Sequence, residues 1–331
     1  MLRPAPDFWP RPLTPDLCFE MSSLQRYFLA PPAPPTAAGF VDDSFTVVDL
    51  RRARQGFALA SSAVTQLPPD VLTPSFDALN ILDAGELIEI IRQTAEAAGL
   101  TRKKRWSVAL PDTTARSFVV PLESKPGSRS ELNEVLGWKI ERLVAVPVSE
   151  LRISRQRISP LAGQERYVMT VGRDDVMAQY EEVFAAVGWS AGLLLPRHMG
   201  EAQWLAWDKS PGDKMLVSVN RTGFTSLVMR NGEPLLVRSY QCEPEALADE
   251  LHRFALYYRD RLTPTATVSA LTGMLVLGDI DIAEARHAVS DAIESEPNAM
   301  NSRDLGFDFS SDAIRFEHLA GAAGLATIAW Q

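Results

Sequence analysis

Residues 216–240 read LVSVNRTGFTSLVMRNGEPLLVRSY, and their pattern sets the fold class. Leu216 to Val219 has the apolar character of a buried strand, and Phe224 to Met229, rich in β-branched and apolar residues, forms a second. Asn231-Gly232 is the strongest short hairpin turn in the chain, because both residues accept positive φ, and a third strand follows from Leu235 to Tyr240. The corner between the first two strands, Asn220-Arg221-Thr222-Gly223, is able to aim backbone N–H groups at an anion. It lacks the acidic residue that would hold a magnesium ion beside a triphosphate. Thr222-Gly223-Phe224-Thr225 suits a phosphate loop, and it suits a hairpin corner for backbone reasons alone.

Upstream, strands are expected at Ser44 to Leu50, Gly56 to Val64, Trp106 to Leu110 and Ala115 to Leu122. Between them, DAGELIEIIRQTAEAAGL is a helix with an Asp83/Glu86 capping box, one apolar face and a terminating Gly99. The character changes at Ser124-Lys125-Pro126-Gly127-Ser128, where a subdomain boundary is placed. A helix capped by Ser128 and Glu131 and stopped by Pro147 follows, then strands Leu151 to Ile158 and Arg166 to Val171, then a helix opening at Asp174. Helix, two strands and helix make a compact inserted unit of about 65 residues. After the quoted hairpin come a helix over Pro244 to Leu262, a strand over Ala266 to Val276, a helix over Ile282 to Ile293 and a small-residue helix in HLAGAAGLATIAW. Strands flanking helices in this order give a mixed α/β fold.

The chain of 331 residues has room for two domains or one divided domain. A net charge of −9 argues against a nucleic-acid binder, whose surface is usually basic. The run Arg102-Lys103-Lys104-Arg105 fits a solvated helix end, or contact with an anionic membrane surface. Two cysteines, Cys18 and Cys242, give neither a disulfide framework nor metal spacing, so a reducing cytoplasm is expected. No stretch of 18 or more apolar residues exists to span a membrane, and no secretory signal is expected. Residues 1–36, with prolines at 4, 6, 10, 12, 15, 31, 32, 34 and 35, read as an extended arm, and translation could start at Met21.

Chemistry is sparse. His198, His252, His287 and His318 stand far apart and read as surface or helix-end residues. Asp279, Asp281 and Glu284 could ligate a cation, but they also suit a helix N-cap and first turn. GxxxxGK[ST], GxGxxG and GxSxG are all absent.

Four stretches together resemble the type IV pilus assembly protein family PilM, a group with the actin-like ATPase fold related to FtsA. They are SVALPDTTARSFVVPLE, ELNEVLGWKIERLVAVPVSEL, VMTVGRDDVMAQYEEVFAAVGW and the hairpin with NGEPLLVRSY. The resemblance runs from about Ala37 to Trp330 and rests on their order and spacing. It implies an actin-like, two-lobed α/β fold with an inserted small α+β subdomain. The arm covers 1–36, the first lobe 37–123, the inserted subdomain 124–190, the return through the first lobe 191–212, and the second lobe 213–331.

Members that bind ATP carry Asp-x-Gly on the first hairpin, then a hydroxyl-rich turn and a lysine. By position these fall on Gly39, Val41 and Thr46, with Asp42-Asp43-Ser44 close by. The later Asp-Ile-Gly falls on Ser218-Val219-Asn220, followed by Thr222 and Gly223, and the adenosine-side glycine run falls on Thr272-Gly273-Met274-Leu275. The resemblance therefore implies a decayed nucleotide site with no cofactor and no catalysis, ATP with Mg in an ATPase or sugar kinase being the alternative.

It also implies a cytoplasmic scaffold, peripheral at the inner membrane, that binds the tail of a PilN-like bitopic protein among other pilus-base components, without direct membrane insertion. The tail is expected in a groove between the first lobe and the inserted subdomain, at Arg116, Phe118, Val120, Leu136, Trp138 and Leu143. Trp138 suits a partner surface or the edge of a core. A type II secretion component has a similar fold but normally continues into a membrane helix, which is not expected after Gln331.

Overall fold

The computed structural model describes residues 33–54, 56–262, 271–308 and 314–331. The expected arm falls almost wholly outside these residues, as does the first part of the strand expected from Ala266.

The first sheet starts with an antiparallel meander of β1 (Thr36–Val41), β2 (Ser44–Arg52) and β3 (Phe57–Gln66). Both faces of β1 are buried, which explains its unbroken run of small and apolar residues. Two parallel strands, β4 (Arg105–Leu110) and β8 (Ser190–Pro196), extend the sheet beyond β1. The second sheet repeats this plan. The quoted hairpin supplies β9 (Asp213–Asn220), β10 (Gly223–Arg230) and β11 (Glu233–Gln241), and β12 (Leu271–Leu277) lies parallel to β9. Two short strands, β13 (Asn298–Ala299) and β14 (Phe307–Asp308), join the edges of the second and first sheets respectively.

Helices α1 (Ala84–Ala97) and α3 (Asp174–Ala186) cover the outer face of the first sheet. Asp83 caps α1 by accepting from the Glu86 N–H at 2.9 Å, as its sequence predicts, a contact typically worth about 1 kcal/mol. Helices α5 (Leu247–Leu262) and α6 (Ile282–Ile293) cover the outer face of the second sheet. The inward residues expected for α5, namely Leu247, Leu251, Phe254, Ala255 and Tyr258, are the buried ones.

A smaller sheet, β5-β7-β6, carries α2 (Arg129–Val144) on one face. Its strands are β5 (Arg116–Pro121), β6 (Leu151–Leu161) and β7 (Gln164–Arg173). The inserted unit differs from the expected 124–190 at both ends. β5 pairs with β7 and so belongs to it, whereas α3 packs on the first lobe.

Between the two large sheets lie α4 (Arg197–Trp207) and α7 (Phe316–Thr327). One apolar cluster runs from Val48 of the first sheet through Trp204, Leu205, Ala320 and Ala323 to Leu216, Leu227 and Leu275 of the second. The two helices cross at backbone contact. A Cβ added to Gly324 would stand 1.9 Å from the Gly200 carbonyl oxygen, and one added to Gly200 would stand 2.1 Å from that of Gly321. The Trp204 indole N–H donates to the Ala320 carbonyl at 2.8 Å across the same crossing.

A methyl group at this crossing has to push two backbones apart, so Gly324→Ala is expected to lose at least ~3 kcal/mol. Thermal unfolding followed by circular dichroism checks this. Gly85→Ala, in the first turn of α1 where an added Cβ would meet only Asp83 Oδ1 at an ordinary 3.4 Å, should instead leave the melting temperature unchanged or raise it.

Candidate functional site

The start of α4 lies where the lobes meet. Pro196 precedes the helix and offers no side-chain cap. The cap comes from across the fold, where Asp112 follows β4 in a short turn and accepts the His198 N–H through Oδ1 at 2.9 Å. A carboxylate is favoured at this end of a helix by its free N–H groups and its dipole. The same oxygen lies 2.8 Å from His198 Nδ1, and His198 Nε2 lies 2.9 Å from the Ser117 hydroxyl on β5. Asp112 Oδ2 accepts from the Ser218 hydroxyl of β9 at 2.9 Å. One carboxylate therefore ties α4, the inserted unit through His198, and the second lobe.

Arg197 completes the joint. Its Nη2 donates to the Val219 carbonyl at 2.5 Å and to Ser218 Oγ at 3.2 Å, and stands 3.8 Å from Asp112 Oδ2. Its Nε lies 3.1 Å from Glu201 Oε1, one helical turn on. The side chains of Arg197 and Glu201 are 3% and 0% exposed. Among the described residues, neither Glu201 oxygen receives a well-aligned hydrogen bond.

Burial sets the electrostatics. It opposes the charge on Arg197, yet Glu201 and Asp112 more than offset it and raise the guanidinium above its ordinary value. Burial would also raise Asp112, but the charge and hydrogen bonds of His198, with Arg197 beyond, hold it down at about 2. For Glu201 burial wins, pushing the carboxyl up to about 7 against the pull of Arg197. The order Asp112–His198–Ser117 is that of a hydrolase triad. Ser117 is 4% exposed and its hydroxyl also lies 3.2 Å from that of Thr170, so the three residues tie the start of α4 to the inserted unit at the floor of a cavity.

The hairpin corners assigned to phosphate by resemblance face each other above this joint. Arg221 of the second donates to Asp43 Oδ2 of the first at 2.7 Å. Asn220 Oδ1 accepts from both the N–H and the hydroxyl of Thr222, closing its own corner. Ser44 donates to the Val41 carbonyl at 2.8 Å and lies 3.3 Å from His318 Nδ1, whose pKa is lowered by burial and by Arg315. Gly39 lies mid-strand opposite Thr46 and Ala109, and Gly273 lies inside β12 beside Lys214, so neither glycine forms a corner. The glycine that meets the second hairpin is Gly278, with φ +107° and room for no Cβ within 2.5 Å of the Val219 carbonyl. Gly223 is also required, at φ +143° against the Tyr240 carbonyl. Asp281 caps α6 by accepting from the Ala283 N–H, the structural role open to it in sequence.

Beside the joint opens a groove of about 820 Å³. Consecutive residues of β5, Arg116 to Val119, form one wall, and consecutive residues of β11, Arg238 to Gln241, form the other. Side chains alternate along a strand, so a run of consecutive lining residues means that the groove faces strand edges. Both strands sit at the margins of their sheets. Arg116 lies 4.2 Å over the Phe76 ring, and Arg238 lies 4.0 Å over that of Tyr257. Of the residues expected to hold a partner, Arg116, Phe118 and Leu143 line this groove. Val120 and Leu136 are sealed in the core of the inserted unit. Trp138 is exposed, lies outside the groove and is covered in part by Arg142. The cavity lies against the first lobe at Pro74 to Asp77 and against the inserted unit at β5, where the partner groove is expected, and β11 of the second lobe adds a further wall. The buried joint of Asp112, Arg197, His198, Glu201 and Ser218 was not anticipated from histidine spacing; His198 is a helix-end residue, as expected, but wholly buried. The signal for the joint was Arg197-His198 and Glu201 in an otherwise apolar stretch.

Over 89% of its length, the chain is similar to a solved structure described as the PilM–PilN type IV pilus biogenesis complex, covering 98% of that chain at a TM-score of 0.71 and 16% identity. The fold is actin-like. Weaker likenesses, each at 11% identity, are to a Bacteroides thetaiotaomicron protein of unknown function with the actin-like ATPase fold and to the cytoplasmic domain of EpsL from the Vibrio cholerae type II secretion system. The first has a TM-score of 0.48 and covers 82% of this chain and 93% of that one; the second has 0.44, 82% and 91%. No protein-family model matches the sequence, and no curated protein does.

Glu201 gives the joint a pH dependence. Its carboxyl is held above the ordinary 4.5, so its contribution to stability is complete below that value and is lost as pH rises through about 7. Melting temperature should therefore fall between pH 5 and 7.5 in the native chain, and Glu201→Gln should flatten that slope. Parallel slopes in the two proteins would show that Glu201 does not titrate there.

Proposed function

We propose that this chain is a non-catalytic actin-like scaffold of a type IV pilus or related secretion machine. In this reading the β5–β11 groove takes, as an extended segment, the cytoplasmic tail of a PilN-like inner-membrane protein. The observation that carries the reading is the pair of strand edges that share one groove. An extended peptide between such edges gains affinity from backbone pairing and selectivity from alternating side-chain pockets. The aromatic residues Phe76, Phe118 and Tyr240 along the groove offer those pockets. The likeness to a PilM–PilN complex supports the choice of partner. Among the described residues no helix is long and apolar enough to cross a membrane, which accords with recruitment through a partner.

In the same reading the interlobe cleft does not hold nucleotide. Magnesium beside a triphosphate needs a carboxylate and a close glycine backbone approach. At the β9 position Ser218 stands instead, already bonded to Asp112 and Arg197. The two corners are bridged by Arg221 and Asp43.

Calorimetric titration separates these statements. The synthetic partner tail should bind the folded chain with a Kd in the micromolar range or tighter, and Mg-ATP should give neither heat nor a rise in melting temperature. Ser239→Trp, on the exposed edge of β11, should weaken tail binding at least tenfold with an unchanged melting temperature. An absence of tail binding at high micromolar peptide would remove the groove reading, and tight Mg-ATP binding would restore the nucleotide one.

A further inference from the structure

The two walls of the groove belong to different lobes. β5 lies in the inserted unit, β11 lies in the second lobe, and they are strands of separate sheets. The angle between the lobes therefore sets the width of the groove. The inserted unit also meets the second lobe directly: Ile158 and Val168 share a buried apolar cluster with Val237 and Leu227, and the Ser159 N–H donates to Glu233 Oε2 at 2.8 Å. At the rim, Arg221–Asp43 is an exposed pair, 65% and 43% accessible, and pairs of that kind hold weakly. Deeper, the fully buried Arg197 head reaches from α4 to the Val219 carbonyl and the Ser218 hydroxyl of the second lobe. The planar guanidinium fixes direction as well as distance, which a lysine ammonium would not.

We propose that Arg197 is a built-in clasp that holds the lobes at the angle forming the β5–β11 groove, a side chain standing where a ligand between the lobes would otherwise act. The groove and the clasp share atoms. Asp112 lines the groove, accepts from Ser218 and lies beside Arg197, while Ser117 lines the groove and meets His198. A shift of the clasp moves Asp112, and with it both the start of α4 and one wall of the groove. The binding surface is thus preorganised by the chain itself and is independent of any nucleotide. The clasp is a positioning device and does not itself touch the tail. This inference goes beyond the scaffold reading and relies on it only for the identity of the tail.

The test uses the full chain with Cys18→Ser and Cys242→Ser, spin-labelled at the exposed sites Glu123→Cys and Glu245→Cys, one in each half of the molecule. Pulsed dipolar spectroscopy should give one narrow distance distribution, unchanged by Mg-ATP. Arg197→Met combined with Glu201→Gln removes the guanidinium without stranding the glutamate charge. That pair should broaden or lengthen the distribution and weaken tail binding at least tenfold while the chain remains folded by circular dichroism. Arg197→Ala should recover the narrow distribution when millimolar ethylguanidinium is added, and ethylammonium should not restore it. If the double variant misfolds, the ethylguanidinium response of Arg197→Ala decides the question alone, and no narrowing overturns the clasp. An unchanged distribution in a folded double variant overturns it too. A changed distribution with undiminished tail affinity separates the clasp from the groove and overturns their coupling. If the native chain does not bind the tail, the partner reading falls, while the distance measurement still decides whether Arg197 sets the lobe angle.

Discussion

The backbone crossing of α4 and α7 is the constraint on which the rest of the molecule depends. Two helices that fill the space between two sheets have no solvent face, so their surfaces must be apolar on nearly every side. They must also be thin, because each packs against its partner and against strands. The sequence LAGAAGLA in α7 meets both demands. Gly321 and Gly324 let the helix backbone touch α4, where Leu325 packs against Gly200, while Leu319 joins the apolar cluster between the sheets. Glycines inside a helix cost stability relative to alanine, about 1 kcal/mol each. Close packing of both helices between the sheets offsets that cost.

This crossing delivers the N-terminus of α4 into the seam between the lobes with its first N–H groups unsatisfied. A helix end buried in that place needs an acceptor, and Asp112 supplies it from the end of β4. Once a carboxylate is buried there, a cation is needed to compensate it, and Arg197 supplies the charge from the first position of the same helix. Glu201, one turn along, then balances the arginine. Each buried charge calls for the next, because an unpaired one would cost several kcal/mol. The joint is thus a consequence of the helix placement, and the hairpin corners beside it are bridged by Arg221 and Asp43.

Elements with caps and one-sided periodicity were legible in the sequence. α1 and α2 begin at Asp83 and Ser128 through the expected cap bonds, although the Asp83 N–H donates to the Val71 carbonyl and not to Glu86 as a capping box requires, and the three strands of the quoted hairpin fall where their β-branched and apolar runs and Asn231-Gly232 place them. The stretch 190–207 was not resolved into a strand and a helix. Its α4 has no side-chain cap and is buried nearly all round, so neither of the usual signals exists. β1 was hidden for a related reason, since Thr36–Val41 follows a proline run and is buried on both faces, without alternation. The joint was illegible because its members lie far apart in the chain, His198 standing 86 positions and Ser218 106 positions after Asp112. Only the fold brings them together. Of the groove, Arg116, Phe118 and Leu143 were found from one side, but the β11 wall depends on how the lobes face each other, which no local pattern encodes.

In the proposed reading, the missing nucleotide pattern and the Arg197 clasp are two sides of one arrangement. A cleft that admits a nucleotide must tolerate both the loaded and the empty state, and so its lobes are joined by contacts that can reopen. Ser218, the position that the resemblance aligns with a metal-binding carboxylate, donates to Asp112, while Val219 offers its carbonyl to Arg197. Substituting an acid at Ser218 alone would set a third carboxylate beside Asp112 and Glu201 around a single guanidinium, and like charges at that depth repel strongly. A metal-binding cleft at this position would therefore require the loss of Arg197 together with the gain of the acid. Neither change is favourable without the other, so the joint is locked by its own electrostatics as well as by its packing.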